Sequence, residues 1–428
     1  MQSRSSSHGR PMPGRLLRRV AQWCLPLALV ASGCGTSSQS SSSVAPVVFG
    51  EPAALTGAGA QFGVPESNAM QLAVDTINAA GGIKSLGGAK LKLVLADDQS
   101  DPTRDTQLLQ QMATQGVSAF VGPFLSAQTI ANIPTITRLK IPFLQSNFDD
   151  RVTQANSPYV FRIVDRADHW SDSIIDFIQY EANLHNTPIH KIGIVSINVP
   201  PGTSLSARLK SRAQALGWDV TEIDYDQKTT LDFTTIVAKL AAAKVDVITG
   251  YQNPQDGELF AKAFNQQSWR PTYNQVWIAG AQQLISFMGD MGPSVNDWLD
   301  ETASAGADTG IYGPEAKTLA LEYESKYKQQ FVGIVGTAVA GIALLADAVD
   351  KAKSRDPQKV TNALASLEFS DYKGSKYPYF TQGGGVKFSD LRDNTAWVSL
   401  IVKLTAPGTQ TVVYPTNYAS AAAKWPLT

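Results

Sequence analysis

The side chains able to act as acids, bases or nucleophiles are few and poorly arranged for catalysis. Aspartates occur as adjacent pairs at 97–98 and 149–150, but neighbouring residues at a strand end point apart. Serine never occurs in the G-x-S-x-G pattern of a nucleophile elbow, and the four histidines lack a matched nucleophile. We therefore expect no catalytic residue, and an extracellular hydrolase is the less favoured alternative.

Composition excludes several other classes of function. The two cysteines and four histidines supply too few ligands for a zinc site or a disulfide framework, so we expect no metal. The spacing of Gly57, Gly59 and Gly63 is wrong for a dinucleotide-binding loop, and no cofactor is expected. A formal net charge of -1, with both signs scattered, gives no support for a nucleic-acid partner. A chain of 428 residues with 43% hydrophobic residues indicates a globular protein of two domains or one large α/β protein.

The N-terminal segment is typical of a secretory signal followed by a tether. Five arginines and no acid precede an apolar stretch at 23–31 that is too short to cross a bilayer, which predicts a signal peptide over 1–33. The small residues before Cys34 resemble the lipidation site of bacterial lipoproteins, although Ala31 stands where leucine is usual. We expect Cys34 to be diacylated and the serine-rich segment 34–45 to hold the protein outside the membrane. A soluble secreted protein is the alternative.

The remaining chain alternates short apolar strands with amphipathic helices. The helix predicted over 65–78 repeats apolar residues at helical spacing, and the strand–helix rhythm restarts with a helix over 168–181. Two such series indicate two α/β domains with parallel sheets covered by helices. The uncharged run 331–346 is too short to span a bilayer and indicates a buried core helix. Further helices are predicted over 126–137, 203–216, 232–243, 255–267 and 314–330, and tail strands over 386–388, 396–404 and 411–414.

Ser126 begins a predicted helix directly after a strand predicted over 117–122. A helix N-terminus presents free backbone N–H groups and the positive end of the helix dipole. With a serine hydroxyl beside them, these groups favour an anion such as a carboxylate. An ordinary capping serine has the same pattern and remains the alternative.

Several short motifs, in a fixed order, resemble one known family. Their order and spacing are similar to those of the type 1 periplasmic binding proteins that serve branched-chain amino acid (Leu/Ile/Val) ABC importers. The similarity extends over nearly the whole chain after the tether. The motifs are LTGAGAQFG (55–63), INAAGGI (77–83), DDQSDP (97–102), VGP (121–123), PYVFR (158–162), GY (250–251) and FSDLRD (388–393).

The resemblance implies an α/β fold with two doubly wound parallel-sheet lobes joined by three crossovers. It places lobe 1 at 46–163 plus 304–386, and lobe 2 at 164–303 plus 387–428. A small-molecule ligand would bind between the lobes, and ABC permease subunits would recognise the closed form. We expect a monomer. A sensory protein that presents its ligand to a membrane receptor is the alternative.

The resemblance also implies the ligand contacts. Ser126 occupies the position that holds the ligand's carboxylate in the family. Asn147 and Asp149 match the second contact loop, and a solvated turn is their alternative. Phe62, Tyr251 and Phe331 match aromatic residues of the pocket, and core packing is the alternative for each. The last candidate contact is Gln282.

One departure from the family pattern concerns the charge of the ligand. Amino-acid binders of the family hold the ligand's ammonium with a glutamate in the loop that corresponds to 279–283, where this chain has no acid. A buried ammonium without a counter-charge would cost several kcal/mol. Hence either Asp149 supplies the charge or the ligand has no ammonium. We expect a small polar or carboxylate-bearing solute, such as an amino-acid-like molecule, an organic acid or an amide.

Overall fold

The structure is a computed structural model that describes residues 44–278, 285–302, 314–331, 333–377, 385–406 and 408–427. The predicted signal peptide, Cys34 and Gln282 lie outside these residues. The described chain forms two large β-sheets covered by helices, which confirms the predicted fold class.

The first sheet is entirely parallel, with strand order β2-β1-β3-β4-β5. Phe49, Val121 and Phe161 on its strands are fully buried or nearly so, because helices cover both faces. The strands are β1 (Val47–Ala53), β2 (Leu91–Asp97), β3 (Ala119–Val121), β4 (Phe143–Gln145) and β5 (Val160–Arg162).

Two pairs of helices enclose the first sheet. One pair, α1 and α11, packs together on one face, and the other pair, α2 and α3, forms a second core cluster with Phe120 and Phe143 on the opposite face. The helices of this part are α1 (Ala60–Ala79), α2 (Pro102–Ala113), α3 (Ser126–Leu139), α4 (Arg151–Gln154), α10 (Pro314–Tyr327), α11 (Gly333–Ala352) and α12 (Pro357–Ala365).

The second sheet has the order β14-β13-β10-β9-β8-β6-β7. Its five strands from β10 to β7 are parallel, and β13 and β14 from the C-terminal tail extend it in antiparallel pairing. The strands are β6 (Lys191–Ile197), β7 (Asp219–Tyr225), β8 (Val247–Tyr251), β9 (Asn274–Ile278), β10 (Leu299–Thr302), β13 (Leu400–Thr405) and β14 (Thr409–Tyr414), and a separate pair is β11 (Glu368–Phe369) with β12 (Val386–Lys387).

The helices of the second sheet follow its strands in alternation. Among them, α5 packs on α6 and α7 packs on α8. Their bounds are α5 (Ala167–His185), α6 (Pro200–Ala215), α7 (Thr234–Ala243), α8 (Pro254–Gln266) and α9 (Ile285–Met291).

A buried ion pair joins the first sheet to the tail. The Arg162 guanidinium at the end of β5 donates to the Asp393 carboxylate over 2.8 Å, and the Arg162 side chain is fully buried. Arg162 also forms a parallel bridge with Asp393 beside β5. Because a buried charge must be paired, this ion pair holds the segment around Asp393 against the end of β5, where the chain leaves the first sheet for the second. The bounds of the two lobes remain a prediction.

Several element boundaries differ from the predictions, and three of the differences have a visible cause. Helix α1 begins at residue 60 and not at 65, because Gly63 has no Cβ and its turn packs directly on the Ala54 carbonyl. Helix α6 begins at Pro200 and not at 203, since prolines need no N–H partner in a first helical turn. The strand predicted over 396–404 starts only at Leu400, because the Asn394 side chain takes the Ala396 N–H.

Helix α11 is long and apolar enough to cross a membrane by length and composition alone. Every residue from Gly333 to Asp350 is nevertheless buried in the protein. The helix packs against α1 and α12 and contacts β3 and β4. The prediction of a core helix is therefore confirmed for this segment.

Candidate functional site

A cavity of ≈ 800 Å³ lies between the carboxyl ends of the two sheets. One boundary, which we call the first wall, comes from the segments after β1 to β4, at residues 57–59, 61–62, 100, 102, 124–128 and 148. The opposite boundary, the second wall, comes from the ends of β6 to β8 and the segments after them, at residues 199–201, 227–228, 251, 253 and 255. Loops and helix N-termini converge at this edge of α/β sheets, which is where such folds bind ligands.

The N-terminus of α3 is the polar centre of the first wall. Ser126, Ala127 and Gln128 line the cavity, and their backbone N–H groups have no partner within the described residues. The helix also has no side-chain cap, because Leu125 occupies the capping position. Three free N–H groups, the Ser126 hydroxyl and the helix dipole together make an anion-binding arrangement.

Aromatic rings form the apolar part of both walls. Phe62 on α1 stacks on Phe124, with ring centroids 5.0 Å apart. Phe148 meets Tyr251 of the second wall edge to face at 5.4 Å, and its other side rests on Trp170 at 4.4 Å. Burial and the nearby Asp256 raise the pKa of Tyr251, so that its hydroxyl stays neutral. These rings suit a flat or branched apolar body.

The second wall has a different chemical character. Helix α6 begins with Pro200 and Pro201, which have no N–H to donate, and their rings line the cavity beside Val199. Among the described lining residues, Lys228 is the one charged side chain, and it is exposed. Acidic side chains are absent from the described lining. The described lining thus offers one cationic side chain and no carboxylate.

The turn between β1 and α1 is held at the cavity mouth by residues after β2. The Asp97 carboxylate accepts hydrogen bonds from the Leu55 and Thr56 backbone N–H groups and from the Thr56 hydroxyl. Desolvation opposes ionisation of Asp97, but these bonds and one from Gln99 lower its pKa overall. The Ser100 hydroxyl also accepts from the N–H of residue 59 over 2.9 Å. The carboxylate is thus engaged in holding the turn.

Two predicted contacts, Asn147 and Asp149, are buried behind the first wall. The Asn147 amide donates to the Thr129 hydroxyl over 2.7 Å. Asp149 is fully buried and accepts two hydrogen bonds from the Arg151 guanidinium, at 2.9 and 2.7 Å. Neither residue belongs to the described lining of the cavity. The charge of Asp149 is therefore already balanced within the protein.

The other predicted contacts are placed as follows. Ser126, Phe62 and Tyr251 come together around the cavity. Phe331 is buried against Tyr323, with ring centroids 5.9 Å apart, and is not among the described lining residues. Gln282 lies outside the described residues. As ligand contacts, all of them remain predictions.

Several lining residues were missed by the sequence analysis. Phe124 and Gln128 flank Ser126, and Phe148 lies between the two residues proposed for the second contact loop. Lys228 follows the end of β7 by three positions. Each lies just after a strand, so the rule that ligands bind at the carboxyl ends of strands could have found them.

The two α/β sheets and the solute-sized cavity between them define a two-lobed binding protein. Residues 46–387 match the family model described as periplasmic binding protein. The chain belongs to this family. Members of this family bind solutes and are not enzymes. The family assignment therefore gives the chain a solute-binding role.

Individual relatives agree with this assignment. Leu/Ile/Val-binding protein homolog 8 of Brucella melitensis is 26% identical over 391 residues, covering 88% of this chain and 93% of the relative. The structure of the branched-chain amino acid transporter protein LivJ from Streptococcus pneumoniae, in complex with isoleucine, superposes with a TM-score of 0.72 at 19% identity, covering 86% of this chain and 100% of that one. A fatty acid ABC transporter substrate-binding protein from Thermomonospora curvata gives a TM-score of 0.72 at 21% identity, covering 89% and 95%.

Proposed function

We propose that this protein captures a small organic acid without an ammonium group and delivers it to an ABC importer. Its carboxylate would bind the α3 N-terminus, and its apolar body would lie between the aromatic rings. The observation that supports this most directly is the pairing of an uncapped helix N-terminus with a described lining that contains no acid.

The charge of the lining favours an acid over an amino acid. A ligand ammonium enclosed here would find no carboxylate among the described lining residues, since Asp149 is bound to Arg151. A carboxylate would instead accept hydrogen bonds from the α3 backbone N–H groups, and hydrogen bonds to a charged group contribute about 1.5–3 kcal/mol each. The protein from Thermomonospora curvata, which is named for fatty acids, has the same fold, and fatty acids also carry a carboxylate without an ammonium.

The apolar part of the site indicates the body of the ligand. Phe62, Phe124 and Phe148 leave room for an aromatic ring or a short branched chain within a cavity of ≈ 800 Å³. Closure of the second wall would bring the Lys228 ammonium and the Tyr251 hydroxyl toward the same solute. Contacts made by both walls at once would stabilise the closed form that a permease recognises.

We further propose that the protein works at the outer face of the membrane. Diacylation of Cys34 would anchor it, and the serine-rich segment 34–45 would let it reach the permease. A Cys34→Ala variant should leave the membrane fraction and appear in the soluble extracytoplasmic fraction. Retention of this variant in the membrane would contradict the anchor.

Matched ligand pairs test the proposed ligand class. 3-Phenylpropanoate and phenylalanine share one body and differ by an ammonium, as do 4-methylpentanoate and leucine. In thermal-shift and calorimetric titrations, the acids should bind and the amino acids should not. Saturating a site at about 100 times Kd stabilises the native state by about 2.7 kcal/mol. Sub-micromolar binding of leucine or valine would overturn the proposed class and leave the family role intact.

A further inference from the structure

One buried carboxyl group connects the two rings of the first wall. Glu66 lies one helical turn after Phe62 on α1 and is 2% exposed. Its Oε2 accepts from the Phe124 backbone N–H over 3.1 Å, and its Oε1 accepts from the Ser146 hydroxyl over 3.2 Å. Glu66 thereby links the helix that carries Phe62 to the loop that carries Phe124 and to the end of β4.

A second buried acid lies beside it. Glu51 on β1 is fully buried, its Oε1 accepts from the Ser67 hydroxyl over 2.6 Å, and its Oε2 has no partner among the described residues. Both carboxyl groups flank Gly122. A Cβ at that position would lie 3.8 Å from the Glu51 Cγ and 4.0 Å from a Glu66 oxygen.

The groups that face this pair are acidic or neutral. Asp98, after β2, adds a further negative field at Glu66. Helix α10 contributes the Tyr323 hydroxyl, which donates to the Pro65 carbonyl. The acids of α11 point elsewhere, since Asp347 accepts from Ser375 and Asp350 from the Ser85 N–H. Basic side chains of the described residues form no ion pair with either glutamate.

The pair cannot carry two charges at neutral pH. Burial raises the pKa of Glu66 to about 7 and that of Glu51 well above its ordinary range, and repulsion between the two adds to the effect on Glu51. An ionised Glu66 can accept from Phe124 and Ser146 together. A protonated Glu66 has a donor on one oxygen, so it accepts strongly with the other oxygen alone.

We propose that Glu66 is a positioning residue for the aromatic wall, holding Phe124 against Phe62 in a manner that depends on its own protonation. The ionised form holds both the Phe124 loop and the end of β4 with charge-assisted hydrogen bonds, and the protonated form holds the Phe124 N–H more weakly because it is neutral. The start of α3 follows Phe124 by two residues, so the same change reaches the anion-binding N–H groups. The consequence for ligand binding rests on the proposed function, but the device itself can be measured without ligand.

Fluorine NMR of the ligand-free protein tests this directly. With 4-fluorophenylalanine at every phenylalanine, the Phe124 and Phe62 signals are assigned by their loss in Phe124→Leu and Phe62→Leu. We expect the Phe124 signal to move between two limits with a midpoint near pH 7. In Glu66→Gln, which keeps the shape but cannot ionise, it should stay at the acid limit from pH 5 to 9.

Two further variants separate positioning from general destabilisation. Glu181→Gln changes another buried acid, on α5, and should leave the Phe124 titration as in the wild type. Ser146→Ala removes one partner of Glu66 and should shift the midpoint upward, because the ionised form loses a hydrogen bond. A Phe124 titration that is unchanged in Glu66→Gln would overturn the proposal. Such a result would leave the solute-binding function untouched.

Discussion

The two walls of the cavity are built from the same strand–turn–helix unit but offer a ligand opposite chemistry. The first wall ends in an uncapped α3, whose first three N–H groups have no partner in the part of the chain that the structure describes. The second wall begins α6 with Pro200 and Pro201, which donate nothing, and adds the exposed Lys228. The same unit can therefore offer N–H donors to an anion or offer none, depending on whether the first residues of its helix are prolines. The described residues thus place backbone donors on one side of the cavity and an exposed cation on the other.

The largest effect on ligand binding is expected when α3 begins with a proline, as α6 does. Ser126→Pro removes one N–H and the hydroxyl, while the extended Leu125 (φ -76°, ψ 121°) permits a following proline. We expect the Kd for 3-phenylpropanoate to rise about 100-fold, because two bonds to a charged group are lost. Calorimetry measures the Kd.

The matched control for this change is Ser126→Ala. It removes the hydroxyl alone, so binding should weaken about tenfold. The melting temperature without ligand should not fall in either variant, since the first N–H groups of a helix need no internal partner. An unchanged Kd in both variants would remove α3 from the site.

The buried acids behind the first wall predict a dependence of stability on pH. Glu66 has an ordinary pKa of 4.5 when unfolded and about 7 when folded, so the folded state binds its proton more tightly. Its contribution to stability is full below about pH 4.5 and is lost as the pH rises through 7. Relative to Glu66→Gln, the wild type should lose about 3 kcal/mol of unfolding free energy between pH 4.5 and 8. Urea denaturation at each pH measures this difference, and parallel curves would contradict it.

The cation of the second wall should have a smaller effect. Because Lys228 is exposed, Lys228→Gln should weaken binding of 3-phenylpropanoate by about two- to fivefold, and added salt should reduce the difference. Lys239→Gln changes another exposed lysine, on α7 and outside this cavity, and should leave the Kd unchanged. If both variants weakened binding equally, Lys228 would act only through general electrostatic attraction of the anion.

Asp149 should have the smallest effect on binding. Its carboxylate is bound by Arg151 behind the wall, so Asp149→Asn should change the Kd for 3-phenylpropanoate by less than about twofold. Leucine should still fail to bind. If the variant instead abolished binding of an amino acid that the wild type accepts, Asp149 would be the missing counter-charge after all.

The fold could be predicted from the sequence because hydrophobic periodicity indicates helices and strands from neighbouring residues alone. The core helix at 333–352 has a long uncharged run, and Asp101 followed by Pro102 marks the start of α2. Boundaries failed where tertiary contacts decide them. The early start of α1 depends on Gly63 lying against Ala54, and such an approach between distant parts of the chain has no local signal.

The site was only partly accessible for a similar reason. Ser126 was found because a serine at a helix start after a strand has a local pattern. The partners of Asp149 and Glu66 were not, since burial and pairing depend on how segments fold together. The sequence left open whether Asp149 supplies a counter-charge to the ligand. Its distance to Arg151, which bears on this question, is visible only in the structure. The paired glutamates at 51 and 66 show no spacing that suggests contact.

The stacking of Phe148 between Tyr251 and Trp170 gives this protein an intrinsic optical reporter. Indole emission is sensitive to a neighbouring ring, and the Trp170 side chain lies one layer behind the cavity, 1% exposed. A solute that displaces Phe148 would alter that emission without any attached dye. Unlabelled protein could therefore be titrated in a fluorimeter, and Trp170→Phe would silence the signal while leaving the cavity intact.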